Sequence, residues 1–337
     1  MATSKELILK AFKGEEVERI PLNPPFQGYW ALGLAGVTVR ESIDHPERAA
    51  AAQLEVTRSC KFDAIETMWD WLAPVEALGC DVKIPEFGTI PTYSTVINTP
   101  DDIGKLSVPD PRKDYRLNAS LAATEVLASK IGREKFLHLT MVSPFTLAGE
   151  LRGVEAIMMD QVLEPDFVHG IIDFTTETVI AYLEEMLEAD VDGILLCDPT
   201  ASGSLISRDD FLEYSQPYIK SAGAKVKAAG KHMMVHICGD TSDRLDTIID
   251  TGADVFAMDY QVDVADAKAK VAGKMAILGN VKPAEVLYSG KPADVRRDSI
   301  DCIRKGGSRG FILGAGCDIP PGTPLENVLV WKEVLGI

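Results

Sequence analysis

Long apolar runs, secretory features and a dense set of cysteines are all missing from this chain of 337 residues. No stretch approaches the roughly eighteen apolar residues of a transmembrane helix, so we expect no membrane span. The N-terminal segment is an amphipathic helix with charges throughout and lacks the apolar core of a secretory signal. Six cysteines are too few for a disulfide framework in a chain of this length. Together these absences predict a protein of the reducing cytoplasm.

Positive charge is also scarce. Lys and Arg total 34 against 51 Asp and Glu, which gives a formal net charge of -17 at pH 7. Such an acidic surface argues against nucleic acid and against an anionic membrane as partners, but it suits a protein that docks a partner protein through charge. The remaining composition, 46% hydrophobic and 7% aromatic, is typical of a globular protein with a large core.

What is present is a regular alternation of short apolar runs and helical segments. Strands are predicted at 20–26, 64–68, 136–142, 193–197, 232–237, 255–258, 275–279 and 310–314, with helices between them, among them 209–229, 264–271 and 324–335. Apolar strands that alternate with helices predict a parallel sheet with both faces covered. Eight such units predict an α/β fold, a single (β/α)8 TIM barrel.

The ends of the chain and one internal segment add detail to this barrel. An N-terminal helix precedes the first strand, and the segment 77–97, broken by Gly and Pro, predicts a β-hairpin inserted after the second strand. No linker or low-complexity tract divides the chain, so residues 1–337 are predicted to form one domain. A doubly wound open sheet is the main alternative architecture.

A (β/α)8 barrel places its active site at the carboxyl ends of its strands. Polar residues stand at that level in or just after five predicted strands: Asn23, Glu66, Asp198, Asp259 and Asn280. Helix capping explains any one of them, but their repetition at one end of the barrel indicates a pocket. We therefore predict that Asn23, Glu66 and Asn280 bind substrate. Arg152, after the third strand, is predicted to pair with an anionic group of the substrate, with a surface salt bridge as the alternative.

The strongest chemical signal is a split set of one histidine and two cysteines. His236 and Cys238 close the fifth predicted strand, and Cys317 follows the eighth in a Gly-rich loop. Alternate residues of a strand project to the same side, so His236 and Cys238 can bind one ion. One imidazole and two thiolates suit Zn²⁺, and three protein ligands leave a fourth position open for chemistry. The alternative for the pair is a core cysteine beside a satisfied histidine.

Two carboxylates are predicted to act beside this site as catalytic residues. Asp198 ends the fourth predicted strand and Asp259 the sixth. A metal-bound histidine commonly donates the N–H of its other ring nitrogen to a carboxylate, which fixes the orientation of the ring. Three roles therefore stay open for each: orienting His236, acting as a labile zinc ligand, or capping a helix.

Several segments carry a resemblance to a known family. They are 14–21 (GEEVERIP), 76–80 (EALGC), 198–203 (DPTASG), 279–283 (GNVKP) and the Gly-rich loop with Cys317. Together with the His-x-Cys and distant Cys pattern, the chain resembles the uroporphyrinogen decarboxylase superfamily over essentially its whole length. Within it, the resemblance is to the methylcobamide:coenzyme M methyltransferases of methanogens and their bacterial relatives. The family's zinc motif falls on His236, Cys238 and Cys317.

One departure from the family pattern decides against decarboxylation. True uroporphyrinogen decarboxylases carry an arginine-rich segment after the first strand, which binds the substrate's carboxylates. The corresponding segment 25–33 reads PFQGYWALG and contains no arginine. A porphyrinogen would lack counter-charges there, so we expect no uroporphyrinogen decarboxylase activity.

The resemblance implies methyl transfer between a methylated corrinoid and a zinc-activated thiol such as coenzyme M. In this family the corrinoid usually sits on a separate small protein, which docks over the barrel mouth. A thiolate is the active nucleophile, and Zn²⁺ deprotonates the thiol that it binds. The thiolate attacks the methyl group on methyl-Co(III) and releases the Co(I) corrinoid. A sulfonate acceptor needs a cationic pocket, for which Arg152 is the one candidate.

Other functions stay open at this point. The acceptor could be another thiol or tetrahydrofolate, and the enzyme could instead demethylate a methoxy or methylamine donor onto Co(I). A non-catalytic corrinoid- or partner-binding barrel with a structural zinc is a further alternative, which would close the metal site with four protein ligands. The oligomeric state is left undetermined.

Overall fold

The computed structural model describes residues 2–67 and 69–337, and a parallel sheet forms its centre. The seven strands found in those residues are β1 Ala64–Glu66, β2 Phe136–Val142, β3 Gly193–Cys197, β4 His232–Ile237, β5 Val255–Met258, β6 Ala276–Val281 and β7 Phe311–Ala315. They are hydrogen-bonded in sequence order, each parallel to the next. Strands β2 to β5 have the predicted bounds, and β6 and β7 begin one residue later than predicted. The predicted end of β1 at Met68 lies outside the described residues.

The prediction of a first strand at 20–26 is wrong, because this segment forms a single bridge and not a strand. Only Leu22 forms a parallel bridge there, with Leu313 of β7. The Asn23 N–H donates to the Leu313 carbonyl over 2.9 Å, and the Asp63 N–H donates to the Leu22 carbonyl over 2.8 Å. This short segment therefore joins β7 to the start of β1 and closes the barrel. It stops short because Pro21, Pro24 and Pro25 have no N–H for a longer ladder.

Helices connect the strands and cover the sheet on its outside. They are α1 Ser4–Phe12, α2 Gly28–Leu34, α3 Val39–Asp44, α4 Pro46–Cys60, α5 Ala73–Ala77, α6 Pro100–Ile103, α7 Tyr115–Ile131, α8 Pro144–Arg152, α9 Val154–Leu163, α10 Pro165–Leu187, α11 Arg208–Asp210, α12 Gln216–Ala228, α13 Leu245–Ile249, α14 Val264–Val271, α15 Pro292–Gly306 and α16 Leu325–Leu335. The N-terminal helix begins with a capping box formed by Thr3 and Glu6. Within the described residues, no helix is long and apolar enough to cross a membrane.

Two predicted elements are less regular than the sequence pattern indicates. The hairpin at 77–97 consists of one antiparallel bridge, Val82 with Thr92, because Pro85 and Pro91 interrupt the pairing on both sides. The predicted helix 209–229 is α11 and α12 joined by a π-helical segment, Phe211–Ser215. Pro217 lies two residues beyond that segment and removes one N–H donor, which a widened turn accommodates.

The core lies around the strands. Every strand residue except the half-buried His232 is buried, as expected for parallel strands covered on both faces. Buried tryptophans then attach outer helices to the barrel: the Trp30 indole donates to the Thr323 carbonyl over 2.9 Å, and the Trp331 indole donates to the Ser299 hydroxyl over 3.0 Å. Such a closed, rigid scaffold holds the loops at the carboxyl ends of the strands in place.

Candidate metal centre

The structure brings the three predicted metal ligands together at the carboxyl end of the barrel. His236 lies in β4, Cys238 follows the last residue of that strand, and Cys317 lies two residues beyond β7. The His236 Nε2 atom is 3.3 Å from the Cys238 sulfur, and the two sulfurs are 3.8 Å apart. All three possible ligand atoms lie within 4.8 Å of one another. Residues 79 positions apart in the chain thus converge on one point.

These donors fit a zinc ion. The Nδ1 atom of His236 is 2.7 Å from the carbonyl oxygen of Ala257, which can only accept, so the ring proton is on Nδ1. Nε2 therefore presents its lone pair to the sulfurs, the arrangement in which a neutral imidazole binds a metal. Two sulfurs bound to one tetrahedral zinc at about 2.3 Å stand about 3.8 Å apart, which agrees with the observed separation.

The electrostatics of the three groups are strongly linked. The hydrogen bond from Cys238 lowers the pKa of Cys317, and the His236 ring acts in the same direction. The same hydrogen bond, together with burial, raises the pKa of Cys238. Burial opposes protonation of His236, but the hydrogen bond and negative charge of Cys317 outweigh it and raise the pKa of the imidazole. The site without a metal thus favours negative charge on one of the two sulfurs, that of Cys317, and a thiolate is the form that ligates a metal.

Two glycines allow the loops to approach this closely. Gly239, directly after Cys238, has φ +77, and a Cβ there would lie 2.4 Å from the Ser202 hydroxyl. A Cβ on Gly316 would lie 2.6 Å from the backbone nitrogen of Tyr260. Larger residues at either position would push the neighbouring cysteine out of place.

A cavity of about 150 Å³ opens beside the three residues. Four aromatic side chains form much of its wall: Phe26, Tyr29, Trp69 and Trp71. The ring of Phe26 packs edge-on against His236, with centroids 4.7 Å apart. Two carboxylates, Glu66 and Asp318, also line it, and no Lys or Arg is among its lining residues in the described part of the chain. The cavity therefore combines an aromatic wall with two carboxyl groups, and burial raises the pKa of both of them.

Glu66, predicted to bind substrate, does line this cavity. Its carboxylate accepts hydrogen bonds from the N–H groups of Gln27 and Gly28, each at 3.1 Å, and from the Thr140 hydroxyl at 2.7 Å. Burial raises the pKa of Glu66 to about 8, and these hydrogen bonds only partly oppose that rise. The side chain is held in place, since donors from the start of α2 and from β2 converge on it.

The two predicted catalytic carboxylates lie outside the cavity lining. Asp198 is buried and accepts from the N–H and hydroxyl of Thr146 and, over 2.6 Å, from the Ser215 hydroxyl. Of the three roles left open, these contacts with the start of α8 fit the capping role, and a catalytic role of Asp198 stays a prediction. Asp259 accepts from the Gln261 N–H over 2.9 Å and acts on His236 only through its charge. The backbone carbonyl of Ala257, rather than either carboxylate, orients the imidazole.

Three predicted substrate-binding residues lie outside the lining of this cavity, so substrate binding by each of them stays a prediction. Arg152, at the end of α8, pairs with Asp160 over 2.7 Å, because the helix turns its last side chain outward toward α9. The Asn280 amide donates to the carbonyls of Asp259 and Val262, which ties β6 to the loop after β5. Asn23 is buried within the barrel-closing segment and is not part of the cavity lining.

Several cavity residues were not predicted from the sequence. Asp318 follows Cys317 directly, and its place beside a predicted ligand was a usable signal. Trp69 and Trp71 flank Asp70, whose ion pair with Arg116 places this loop against α7. The local sequence around Trp69 and Trp71 does not indicate this ion pair, because its two residues are far apart in the chain. Cys197, at the end of β3, also reaches the cavity, and burial raises its pKa well above the ordinary value.

Comparison with known proteins now places this site in a family. The family model for uroporphyrinogen decarboxylase (URO-D) matches residues 3–335. The chain belongs to the uroporphyrinogen decarboxylase family. Methylcobamide:CoM methyltransferase MtbA of Methanosarcina acetivorans is 28% identical to it over 97% of this chain and 95% of the relative. Uroporphyrinogen decarboxylase of Chlorobium limicola is 29% identical over 97% of this chain and 96% of the relative.

A solved structure bears on the fold. A methyltransferase from Methanosarcina mazei superposes with a TM-score of 0.90 at 24% identity, over 100% of this chain and 99% of the other. The α/β barrel class predicted from the sequence is therefore confirmed. The resemblance to the uroporphyrinogen decarboxylase family and, within it, to the methylcobamide:coenzyme M methyltransferases is confirmed as well.

Proposed function

We propose that this member of the uroporphyrinogen decarboxylase family is a zinc-dependent methyltransferase that moves a methyl group between a methylated corrinoid and a thiol. The convergence of His236, Cys238 and Cys317 within 4.8 Å is the observation that carries the proposal. The names of the relatives support it, since they include methylcobamide:coenzyme M methyltransferases. We further propose that the corrinoid is carried by a separate protein and that residues 1–337 act as one domain.

The chain's own residues prepare the site for a thiol. A zinc ion, when bound by His236, Cys238 and Cys317, supplies a Lewis acid that favours the thiolate form of an acceptor. The Ala257 carbonyl keeps Nε2 of His236 available for this purpose. The aromatic wall of the cavity limits the water that reaches the sulfur, and a poorly hydrated thiolate is a better nucleophile.

The transfer itself balances without a further reagent. The cobalt–carbon bond of the methylated corrinoid breaks, and a carbon–sulfur bond forms. The electron pair of the broken bond stays on cobalt, which passes from Co(III) to Co(I), while the thiolate becomes a thioether. The cobalt cofactor supplies the organometallic step, and the protein supplies binding and orientation.

Two observations separate this proposal from its alternatives. Among the described residues, the group that could hold a metal ion comprises three side chains, which supports an open catalytic site over a closed structural one. The cavity presents no Lys or Arg from those residues, so a substrate with several carboxylates finds no counter-charge there. We therefore expect no release of carbon dioxide from uroporphyrinogen, although several relatives are named for that reaction.

The decisive experiment is demethylation of free methylcobalamin by the zinc-loaded protein. Acceptors are a panel of thiols and tetrahydrofolate, cobalamin is followed by absorbance, and the methylated product is identified by mass spectrometry. Transfer to a thiol is expected, and Cys317→Ser is expected to reduce it to the uncatalysed rate. Cys302→Ser changes a buried thiol outside the site and serves as the matched control.

Three results would contradict the proposal. One is transfer to tetrahydrofolate alone, which would identify a different acceptor class. Another is full activity of a zinc-free preparation. The third is equal loss of activity in the Cys317→Ser and Cys302→Ser proteins, which would point to general damage rather than to loss of a ligand.

A further inference from the structure

Two polar atoms in the wall of the cavity have no hydrogen-bond partner among the residues that the structure describes. They are the hydroxyl oxygen of Tyr29 and the indole nitrogen Nε1 of Trp69, and both side chains line the cavity. These side chains are 5% and 2% exposed. A buried donor without an acceptor is costly, and native proteins rarely leave one unused. The pair is therefore a feature that a bound ligand can complete.

The buried tryptophans outside the cavity differ from Trp69 in this respect. The Trp30 indole donates to the Thr323 carbonyl over 2.9 Å, and the Trp331 indole donates to the Ser299 hydroxyl over 3.0 Å. Neither of these two indoles is part of the cavity lining. Among the three buried tryptophans, the one without a partner is thus the one that lines the cavity, as expected of a group that binds a ligand.

The fold holds the two donors in one part of the wall. Trp69 lies three residues beyond β1, and Tyr29 is the second residue of α2. A Cβ on Gly28 would lie 2.5 Å from the Cβ of Trp69, so the start of α2 lies directly against this tryptophan. Glu66 stabilises the same contact, since its carboxylate accepts from the Gly28 N–H over 3.1 Å. Backbone contacts therefore place both donors before any ligand binds.

The types of donor identify the group that they can bind. An indole N–H can only donate, so the partner of Trp69 must be a hydrogen-bond acceptor. Burial raises the pKa of Tyr29 well above its ordinary value, and the charge of Asp70 acts in the same direction, so the phenol keeps its proton. Two such donors can serve the two lone pairs of one carbonyl oxygen.

The charge of that oxygen follows from what the wall lacks. Among the described residues, no Lys or Arg lines the cavity. An anion taken out of water needs a positive charge beside it, whereas a neutral oxygen needs hydrogen bonds alone. The rings of Phe26 and Trp71 add apolar surface for a carbon skeleton. An uncharged oxygen on a small apolar skeleton is the ligand group that suits this wall.

We infer that the thiol methylated in this cavity carries an uncharged oxygen, an amide carbonyl for example, to which the Tyr29 hydroxyl and the Trp69 indole N–H donate. This inference rests on the proposed function and specifies the class of methyl acceptor for the same site. It distinguishes this chain from the relatives that are named for coenzyme M, a thiol that carries a sulfonate instead.

Three thiols of one shape test the inference directly. They are 2-mercaptoacetamide, mercaptoacetate and 2-methylpropane-1-thiol, which share a thiol, a methylene group and a branched end. That end is a neutral amide, a carboxylate or a pair of methyl groups. With methylcobalamin as donor and zinc-loaded protein, kcat/KM is expected to be highest for the amide. A higher value for mercaptoacetate or for 2-methylpropane-1-thiol overturns the inference.

The variant Tyr29→Phe keeps the ring and removes the hydroxyl. The ratio of kcat/KM for the amide over 2-methylpropane-1-thiol is expected to fall about tenfold, which corresponds to roughly 1.4 kcal/mol. Comparing this ratio between proteins cancels the acidity of each thiol and any chelation of zinc by the amide. Tyr93→Phe removes the hydroxyl of an exposed tyrosine outside the cavity lining and is expected to leave the ratio unchanged. An unchanged ratio in Tyr29→Phe overturns the inference.

The second donor has its own pair of variants. Trp69→Phe removes the indole N–H from the cavity and is expected to lower the same ratio. Trp331→Phe removes an indole N–H that is paired elsewhere and is expected to leave the ratio unchanged. Equal falls in the two variants would show general loosening of the barrel and overturn the role of Trp69.

Binding without turnover separates this inference from the proposed function. The affinity of each thiol for zinc-loaded protein without corrinoid is measured by isothermal titration calorimetry. Tighter binding of the amide than of 2-methylpropane-1-thiol, lost in Tyr29→Phe, supports the inference even if no thiol is methylated, a result that would contradict the proposed function. A preference that is absent, or that Tyr29→Phe retains in full, overturns the inference and leaves methyl transfer standing.

Discussion

The Nδ1 atom of His236 donates to the carbonyl oxygen of Ala257 over 2.7 Å, across the register that pairs these two residues on β4 and β5. The bond determines which ring nitrogen is free, and it directs that nitrogen to the sulfurs of Cys238 and Cys317. Because the partner is a backbone atom, its position depends on the strand register and not on a side chain. The orientation of the ligand is therefore built into the sheet.

Metal content follows from this geometry. We expect the purified protein to bind one equivalent of zinc, and His236→Gln or Cys238→Ser to lose most of it. Cobalt(II) substituted for zinc should show intense sulfur-to-metal charge-transfer absorption in the wild type. Elemental analysis and absorption spectra are the measurements. Cys80→Ser, which alters a buried cysteine elsewhere, is expected to keep the metal, and a full equivalent of zinc in Cys238→Ser would refute the ligand assignment.

Closure of the barrel gives a stability prediction. A Cβ on Gly314 would lie 2.3 Å from the Asn23 carbonyl, in the segment that joins β7 to β1. Gly314→Ala is therefore expected to lower the free energy of unfolding by about 2 kcal/mol or more, since the backbones cannot keep this distance. Urea titration measures the change. Gly33→Ala has open space around the new methyl group within α2 and is expected to be neutral or stabilising by about 0.5–1 kcal/mol. Equal effects of the two substitutions would argue against a tight closure.

The buried ion pair between Arg116 and Asp70 gives a second stability prediction. Arg116 donates to both oxygens of Asp70, over 2.5 and 2.6 Å, and both side chains are almost fully buried. Asp70→Asn leaves the buried guanidinium with the partly exposed Glu76, at 3.2 Å, as its remaining carboxylate partner, so we expect a loss of about 3 kcal/mol in urea unfolding. Asp301→Asn removes a carboxylate from exposed pairs on α15 and is expected to cost less than about 1 kcal/mol. Similar losses for the two variants would show that the Asp70 pair contributes no more than a surface pair.

Acid stability should depend on His138. Burial lowers the pKa of His138 from 6.5 to about 3, so the folded state keeps the ring neutral where the unfolded chain takes up a proton. The depressed pKa stabilises the fold above pH 6.5, and this contribution is lost as the pH falls from 6.5 toward 3. Between pH 7.5 and 5 the wild type should lose about 2 kcal/mol more than His138→Leu in urea unfolding. His45→Leu, at an exposed position, is the control, and parallel pH profiles for wild type and His138→Leu would refute the prediction.

Much of the fold could be predicted because parallel strands are buried on both faces. Such strands appear as continuous apolar runs, and β2 to β5 have the predicted bounds for that reason. The apolar residues of the segment at 21–23 could not show that this segment forms a single bridge and not a strand. Its length depends on which neighbours can reach it and on prolines that cannot donate. The irregular hairpin around Val82 and Thr92 was overestimated for the same reason.

The candidate site, like the fold, could be predicted from the sequence only in part. The alternation of side chains along a strand placed His236 and Cys238 on one side, and barrel topology placed Cys317 at the same end. By contrast, a polar residue after a strand can turn inward or outward, and local sequence does not decide which. Glu66 turns to the cavity, whereas Asp198 and Asn280 bind backbone or hydroxyl groups outside it.

The sequence by itself determined the class of fold, the family and the identity of the three residues that converge at the candidate metal site, because residue type, periodicity and spacing carry that information locally. Only the tertiary structure decided what surrounds them: the backbone carbonyl that orients His236, the tryptophans beside Asp70, and the aromatic cavity with Glu66 and Asp318. These depend on distances between segments that are far apart in the chain. Such distances are determined by packing and strand register, which no local pattern encodes.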